Sequence, residues 1–417
     1  MSQPHPQLVR SASLGGAILL GLGSIIGTGA FVSVGFGVEL AGSWIIWALL
    51  IAAAVATFNG LSSAQLAAIH PVSGGTYEYG YQFLNRQLGF TAGWLFVLAK
   101  SASAATAALA VGVALQTWLA GPTWLVQVFA GLTLLLFTLL VLGGLRRSNR
   151  ANAILVALAV GALIVFVAVS SQTPMPLADI SHEPSWQNLL AAAGLLFVAY
   201  TGYGRIATMG EEVQNPRHVI PRAILATVVV VTLLYAAIGW GILHYVPLTT
   251  SSDFVLSNLM PEGVWRQLVA IGAVVAMCGV ILNLILGVSR VVLAMARRSD
   301  LPPKWAQLNE QRTSAPAAIW VTFAVMLLIV LVGDLKIAWS FSAFTVLVYY
   351  SITNLAALRV KAEDRFVPRW ISLLGLISCL SLAAFIELQI MFVGLILIGV
   401  GLLWHATLLA SRPTVSP

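Results

Sequence analysis

Two glycine-rich stretches lie in the middle of long apolar segments and place backbone chemistry there. The first reads Gly-Ser-Ile-Ile-Gly-Thr-Gly-Ala-Phe over residues 23–31, and the second reads Phe-Val-Ala-Tyr-Thr-Gly-Tyr-Gly over residues 197–204. A glycine inside a helix costs about 1 kcal/mol relative to alanine, so clustered glycines make local unwinding cheap. Each break leaves a new N-terminus with free amide hydrogens and a new C-terminus with free carbonyls. The pattern therefore predicts anion and cation binding inside the apolar segments.

The backbone groups at the two breaks divide into two sets. The amides of Thr28 and Gly29 are placed to bind a carboxylate, because a helix N-terminus attracts negative charge. The carbonyls of Ile25, Val198 and Thr201 are placed to bind an ammonium group. Alternatively, the glycines only let helices pack closely, as in small-xxx-small motifs. Two breaks in corresponding positions favour a binding site.

Lys100 is a charged residue inside a third apolar segment. It lies about eleven residues into that segment, or roughly 16 Å at 1.5 Å per residue, near the middle of a bilayer. Ionisable residues at that depth are functional by default. No acidic residue is expected at the same depth, so Lys100 either pairs with a substrate carboxylate or gives up its proton and takes part in coupling. A structural role, in which it bonds carbonyls of a broken helix, stays open.

Other polar side chains near the breaks have both a functional and a structural interpretation. Tyr200 and Tyr203 adjoin the second break, but they are equally suited to interior packing. Asn283 is an amide in an apolar segment that either binds a ligand or joins helices. A further set consists of charged residues that either form a gate or coupling device, or reach the membrane interface. Its members are Arg205, Glu211, Glu212 and Arg290.

Several other functions lack their signatures in this sequence. Residues 201–204 resemble part of a potassium-channel filter, but one residue and the fourfold re-entrant setting are missing. Residues 21–27 have one residue too many for a dinucleotide fingerprint. No His-Glu-x-x-His, Gly-x-Ser-x-Gly or nucleotide-binding Gly-rich Lys motif occurs. We therefore expect no enzyme activity, no cofactor, no metal and no nucleic-acid partner.

The elements that must position these residues are membrane-spanning helices. Of the 417 residues, 59% are hydrophobic and 8% are charged, against roughly 25% charged in a soluble domain. Twelve apolar runs are long enough to cross about 30 Å of hydrocarbon. They cover residues 14–41, 44–69, 89–118, 123–145, 151–171, 187–209, 221–245, 266–296, 316–333, 337–358, 367–387 and 389–409. We expect one all-α domain over residues 1–417, embedded in a lipid bilayer, with spans one and six broken.

The order of basic residues along the chain predicts the orientation. Most of the 21 lysines and arginines lie on the side of the N-terminus, which the positive-inside rule assigns to the cytoplasm. We therefore expect a multi-pass protein of the cell membrane with both termini in the cytoplasm. The net charge of +7 is distributed by this topology and does not form a nucleic-acid-binding patch.

The sequence resembles the amino acid-polyamine-organocation superfamily of amino acid permeases over nearly its whole length. The resemblance rests on residues 23–31 and 71–77, on the stretch from Phe197 to Ile224, and on Asn283 with residues 289–302. It implies two inverted five-helix repeats over residues 14–171 and 187–358, followed by two further helices over 367–409. It also implies a substrate held between spans one, three, six and eight.

The resemblance places the α-carboxylate and α-amino groups of an amino acid at the two breaks. With the neighbouring polar residues, the substrate-binding candidates become Ile25, Gly27, Thr28, Gly29, Lys100, Val198, Tyr200, Thr201, Gly202, Tyr203, Asn283 and Leu284. Some proton-coupled relatives carry a lysine in span five. Residues 152–159 at the corresponding place contain none, so this coupling device is not carried over.

The implied function is a secondary transporter that moves amino acids by alternating access, through proton symport or exchange. Small or apolar pocket candidates such as Ser103, Ala104 and Ala199 favour neutral amino acids. A non-transporting amino acid receptor of the same fold stays open, whereas an ion channel is disfavoured by the incomplete filter. No pattern in the sequence specifies an oligomeric state.

Overall fold

The structure is a computed structural model that describes most of the chain as helix. It describes residues 13–70, 74–143, 149–172, 185–207, 213, 215–245, 256–260, 262–310 and 314–410. Within these ranges the regular secondary structure is helical, apart from an isolated bridge residue at Val213. The expected all-α class is therefore confirmed.

Fifteen α-helices follow each other along the described chain. The first seven are α1 Leu14–Ile25, α2 Val34–Ala41, α3 Ile45–Ile69, α4 Thr76–Phe83, α5 Arg86–Leu119, α6 Leu125–Leu142 and α7 Asn149–Gln172. The other eight are α8 Trp186–Tyr200, α9 Gly204–Ala207, α10 Pro216–Tyr245, α11 Val264–Arg297, α12 Pro316–Val332, α13 Leu335–Leu358, α14 Arg369–Ala383 and α15 Leu388–Ala410. Every predicted span overlaps at least one of them.

Nine helical stretches of the described chain are long and apolar enough to cross a membrane. One of them runs from Gly29 to Ile69, because only a short 3₁₀ turn at Gly42–Trp44 separates α2 from α3. Three apolar helices are shorter, namely Leu14–Ile25, Pro316–Val332 and Arg369–Ala383. The protein is thus a multi-pass membrane protein, while the number of twelve crossings and the inverted repeat stay predictions.

Helix α5 forms the centre of the bundle. Its 34 residues span about 51 Å at 1.5 Å per residue, and most of its residues are buried in the bundle. Many of the buried residues are alanines and serines, which let neighbouring helices approach closely. It packs against α4, α6, α11, α12, α13 and α15. Lys100, near the middle of α5, is therefore held inside the protein.

The distribution of polar and apolar side chains is that of a protein surrounded by lipid. Large apolar residues on the outer helices are exposed, such as Leu233 at 68% and Leu403 at 69%. Polar residues instead lie inside, where Asn354 Nδ2 of α13 donates to Asn59 Oδ1 of α3. Buried amides of this kind join helices in a medium that offers no water.

Helix α4 was not anticipated from the sequence. It is amphipathic and only eight residues long, so it lacks the apolar run by which spans are recognised. It packs on the start of α5, where a Cβ added at Gly80 would lie 2.5 Å from the Cα of Gly89. Two glycines facing each other are therefore required for this close approach.

Candidate functional site

The break in span one lies between Ile25 and Gly29. Helix α1 ends at Ile25, and Ile26 is extended with φ −75° and ψ 106°. The chain resumes as a π-helical turn over Gly29–Ser33 that leads into α2. The amides of Ala30 and Phe31 both donate to the carbonyl of Gly27 at 3.0 Å. The predicted interruption is present, and the amides of Thr28 and Gly29 begin the second half, where a helix offers them no internal acceptor.

Span six is interrupted in a different way from the prediction. Helix α8 ends at Tyr200, a 3₁₀ turn covers Thr201–Tyr203, and α9 continues from Gly204. The chain tightens here and does not unwind, because the amide of Thr201 donates to the carbonyl of Val198. The Thr201 hydroxyl donates to the same carbonyl at 2.7 Å.

The two interruptions lie directly against each other. A Cβ added at Gly202 would lie 2.5 Å from both the Ser24 carbonyl oxygen and Ile25 Cγ1. A Cβ at Gly29 would lie 2.9 Å from the Cβ of Ala199. Such distances leave no room for a side chain, so glycine is required on both sides of the contact.

Lys100 connects the central helix α5 to the span-six break. Its Nζ donates to Thr201 Oγ1 at 2.8 Å, and both side chains are buried. No ion pair joins Lys100 to any residue within the described ranges. The hydrogen-bond partner of Lys100 is therefore a neutral hydroxyl at the span-six break, and no described carboxylate balances its charge.

Several buried polar atoms near the breaks have no hydrogen-bond partner among the described residues. They include Thr28 Oγ1, at the break of span one, and Asn283 Nδ2 on α11. Helix α11 borders this break, because a Cβ added at Gly27 would lie 2.4 Å from Val280 Cγ2. Leu284 is partly buried beside Asn283. Buried polar groups are nearly always paired in proteins, so each unpaired one points to a missing ligand or water.

The carbonyls expected to bind an ammonium group already accept hydrogen bonds from hydroxyls. Ile25 accepts from Tyr235 Oη at 3.4 Å, and Thr201 accepts from Tyr350 Oη at 3.5 Å. A carbonyl has two lone pairs. The carbonyls of Val198 and Thr201 each accept a further hydrogen bond, from the amides of Thr201 and Gly204, so Ile25 is the carbonyl of the three best able to accept an ammonium hydrogen. The sequence analysis missed Tyr235 and Tyr350, whose only signal was a tyrosine in the middle of an apolar span.

Comparison with known proteins gives the family of the chain. The sequence model of the amino acid permease family, described as "Amino acid permease", matches residues 16–415. The chain belongs to the amino acid permease family. An uncharacterized transporter of Mycobacterium tuberculosis is 37% identical over 404 residues, which are 95% of this chain and 90% of that protein. The branched-chain amino acid permease of Bacillus subtilis is 28% identical over 326 residues, which are 72% of this chain and 70% of that protein.

The fold has solved counterparts. The crystal structure of a mutant manganese transporter from Eremococcus coleocola matches this permease with a TM-score of 0.61 over 97% of this chain and 96% of that chain. At 13% identity the match shows the fold alone. Together with the family, it confirms the expected class, an amino acid transporter that is a multi-pass membrane protein.

Tyr200 and Tyr203 of this permease lie in the packed interior. Tyr200 Oη donates to the carbonyl of Leu49 on α3 at 3.5 Å. The ring of Tyr203 lies 5.5 Å from that of Tyr350. Both side chains are buried and face neighbouring helices, which fits the packing interpretation as well as the functional one.

The charged gate candidates occupy different positions. Arg205 is half-buried on α9, directly after the span-six break. Arg290 is exposed on α11, two turns before its end. Glu211 and Glu212 lie outside the described residues. Of the two candidates that the structure describes, Arg205 lies next to a break and Arg290 does not.

A buried carboxylate that the sequence analysis did not select joins four helices. Asp300, just after α11, is 1% exposed. The other members of this Asp300 cluster are Tyr77, Tyr81, Arg86 and His405. Tyr77 Oη donates to Asp300 Oδ2 at 2.8 Å, and Tyr81 donates to the same oxygen. Arg86 Nη2 and His405 Nε2 lie 3.9 and 3.6 Å from Oδ1.

The tyrosines of the Asp300 cluster remain hydrogen-bond donors at neutral pH. Burial raises the pKa of the Tyr77 and Tyr81 hydroxyls above the ordinary value, and the adjacent Asp300 raises it further. Beside them, Arg298 makes two hydrogen bonds to Glu78 of α4. The hydrogen bond to Glu78 raises the pKa of Arg298. The cluster therefore fixes α4 to the ends of α5, α11 and α15.

Proposed function

We propose that the protein is a secondary transporter that moves neutral L-amino acids across the cell membrane by alternating access. The observation that carries this proposal is the contact between the two broken spans, in which Gly202 packs on Ser24 and Gly29 packs on Ala199. The contact brings amides at the start of one half-helix close to carbonyls at the ends of two others. Such a set matches the carboxylate and ammonium groups of an amino acid.

Unpaired polar groups support the same location. Thr28 Oγ1 and Asn283 Nδ2 are buried without a described partner, and both residues are among the substrate-binding candidates from the sequence. A substrate carboxylate would accept hydrogen bonds from both groups, since each can act as a donor. The buried state of these residues agrees with a site that opens to one side of the membrane at a time.

Neutral amino acids fit the surroundings of the breaks best. The Lys100 side chain at Thr201 would repel a second positive charge. Val280 and the partly buried Leu284 contribute apolar surface on α11. The relative from Bacillus subtilis is named for branched-chain amino acids, which are neutral and apolar.

Lys100 is the proposed coupling residue. It is buried, and its hydrogen-bond partner is a neutral hydroxyl. Carrying a charge there is costly unless an anion enters or the proton leaves. Substrate loading and protonation of Lys100 are therefore linked, which suits proton symport and also permits exchange of one amino acid for another.

The proposed orientation follows the charges. With both termini in the cytoplasm, the Asp300 cluster lies at the cytoplasmic end of the bundle. The two five-helix repeats, residues 14–171 and 187–358, then provide the two halves that move during alternating access, and residues 367–409 add two outer helices.

Uptake of radiolabelled L-leucine into proteoliposomes tests this function. We expect saturable uptake that an inward proton gradient or internal unlabelled leucine stimulates, with liposomes lacking protein as the control. Stimulation by the gradient indicates symport, and stimulation by internal leucine alone indicates exchange. Binding of leucine without uptake in either condition would replace the transporter with a receptor.

A further inference from the structure

Oxygen atoms from three helices meet between the two breaks around a single hydroxyl hydrogen. Tyr235 Oη lies 3.4 Å from the carbonyl oxygen of Ile25 and 3.2 Å from that of Ala199. A phenol has one hydrogen to donate, so it serves only one of these carbonyls well at a time. The Tyr235 side chain is fully buried, and water therefore does not reach this junction from bulk solvent in the described conformation.

The position of the hydroxyl relative to the breaks is well defined. Ile25 ends α1, and Ala199 lies in the last turn of α8, so both carbonyls belong to helix ends with negative partial charge. A Cβ added at Gly29 would lie 2.5 Å from Tyr235 Oη. The hydroxyl therefore also touches the start of the second half of span one, next to the amides proposed for the carboxylate.

This junction has the chemistry of an ammonium site. It offers lone pairs on three oxygens, negative partial charge and only one hydrogen. An ammonium group supplies positive charge and three hydrogens. When an ammonium group enters, the Tyr235 hydrogen can turn to the carbonyl of Ala199. The carbonyl of Ile25 and a lone pair of Oη can then each accept one ammonium hydrogen.

We propose that Tyr235 recognises the α-ammonium group of the substrate, with Oη and the carbonyl of Ile25 each accepting one of its hydrogens. The proposal rests on the proposed function, because it assumes an amino acid at the breaks. It adds a specificity-determining residue from span seven. The residue discriminates an amino acid from the 2-hydroxy acid of the same shape, which lacks the charge and two of the hydrogens.

The test compares two buried tyrosines. Tyr235→Phe removes the hydroxyl at the junction, whereas Tyr349→Phe removes one on α13 that accepts a hydrogen bond from the amide of Thr76. The purified full-length variants are titrated with L-leucine and with its 2-hydroxy analogue, and the ligand-induced rise in melting temperature gives each Kd. Where the hydroxy analogue binds too weakly, N-methyl-leucine, which has one ammonium hydrogen fewer, takes its place.

We expect Tyr235→Phe to weaken leucine binding about tenfold, as for the loss of a hydrogen bond to a charged group. Binding of the analogue should change much less, so the preference for leucine shrinks. Tyr349→Phe should keep the wild-type preference.

Equal weakening for both ligands in Tyr235→Phe would assign Tyr235 to packing alone and overturn the proposal. Wild-type affinities in Tyr235→Phe would do the same. Failure of wild-type protein to bind any amino acid would instead remove the proposed function, and that result is recognised without either variant.

Discussion

Individual glycines determine whether the two broken spans can touch. At Gly202 an added side chain would meet the backbone carbonyl of Ser24 as closely as the side chain of Ile25, and a backbone carbonyl cannot rotate away as a side chain can. At Gly27 the obstacle is the side chain of Val280. A side chain is therefore tolerated less well at position 202 than at position 27.

Gly202→Ala should weaken substrate binding at least tenfold while the protein still reaches the membrane. The added methyl group would push span one away from span six and misplace the carbonyls at the junction. Gly161→Ala on α7 is the matched control, because nothing lies within 4 Å of its added Cβ. Leucine affinity measured on both purified variants checks the prediction, and wild-type affinity in Gly202→Ala would disprove the assignment of the site.

Gly27→Leu should abolish binding for a related reason, since its side chain fills the cleft.

Lys100→Gln should flatten the pH dependence of proton-driven uptake and leave leucine exchange intact. Glutamine keeps hydrogen bonding to Thr201 but carries no titratable proton. Lys100→Arg keeps a charge that does not dissociate, so it should also lose the pH response. Uptake and exchange at several pH values in the same vesicles decide the role. A selective loss of affinity with an unchanged pH response would make Lys100 a carboxylate ligand, and wild-type behaviour would make it a structural residue.

The residues at the breaks could be predicted from the sequence because clustered glycines in an apolar run are a local signal. The role of Tyr235 could not be predicted, since its carbonyl partner Ile25 lies 210 positions away. The hydrogen bond from Lys100 to Thr201 likewise joins residues 101 positions apart. Depth in the membrane can be estimated from one sequence, whereas contacts between helices require the fold.

At the scale of elements, the Asp300 cluster joins helices that are remote in sequence. It combines α4, the start of α5, the end of α11 and the end of α15. Tyr77 and Tyr81 donate to one oxygen of Asp300, and Arg86 and His405 lie nearest the other. Because the carboxylate is buried, its removal leaves several polar groups without their acceptor.

Asp300→Ala should lower the free energy of unfolding by about 2 kcal/mol or more, because the hydroxyls of the buried Tyr77 and the half-buried Tyr81 lose their acceptor. Glu363→Ala is the control, since Glu363 pairs with Lys361 where both side chains are well exposed, and such pairs contribute little. Melting temperatures of the purified variants in the same detergent compare them. Equal melting temperatures would show that the cluster does not stabilise the bundle.

The sequence predicted the positions of the helices better than their local geometry. A bilayer crossing requires about 20 apolar residues, so each predicted span overlaps a helix of the structure. The amphipathic helix α4 escaped detection because it has no such run. The break in span six was located correctly, but its 3₁₀ form depends on the Thr201 hydrogen bonds, which composition does not reveal.

For the whole molecule, ion pairs connect distant parts of the chain on either side of the breaks. Glu39, near the end of α2, pairs with Lys336 at the start of α13 at 3.2 Å. Glu78 of α4 pairs with Arg298 after α11. Between them the residues of the breaks are buried. In the proposed alternating-access mechanism, the ion pairs on one side separate while those on the other side stay closed.

The two breaks are proposed to recognise the α-carboxylate and α-ammonium groups of an amino acid. Competition against radiolabelled leucine uptake by L-leucine, N-acetyl-L-leucine and L-leucine methyl ester, in the same proteoliposomes, measures this recognition. Helix ends bind the charged α-groups of a ligand and do not contact its side chain. We therefore expect only free leucine to compete well, with both modified forms weaker by tenfold or more. Equal competition by either modified form would contradict the claim, because the group it lacks would not be recognised at the breaks.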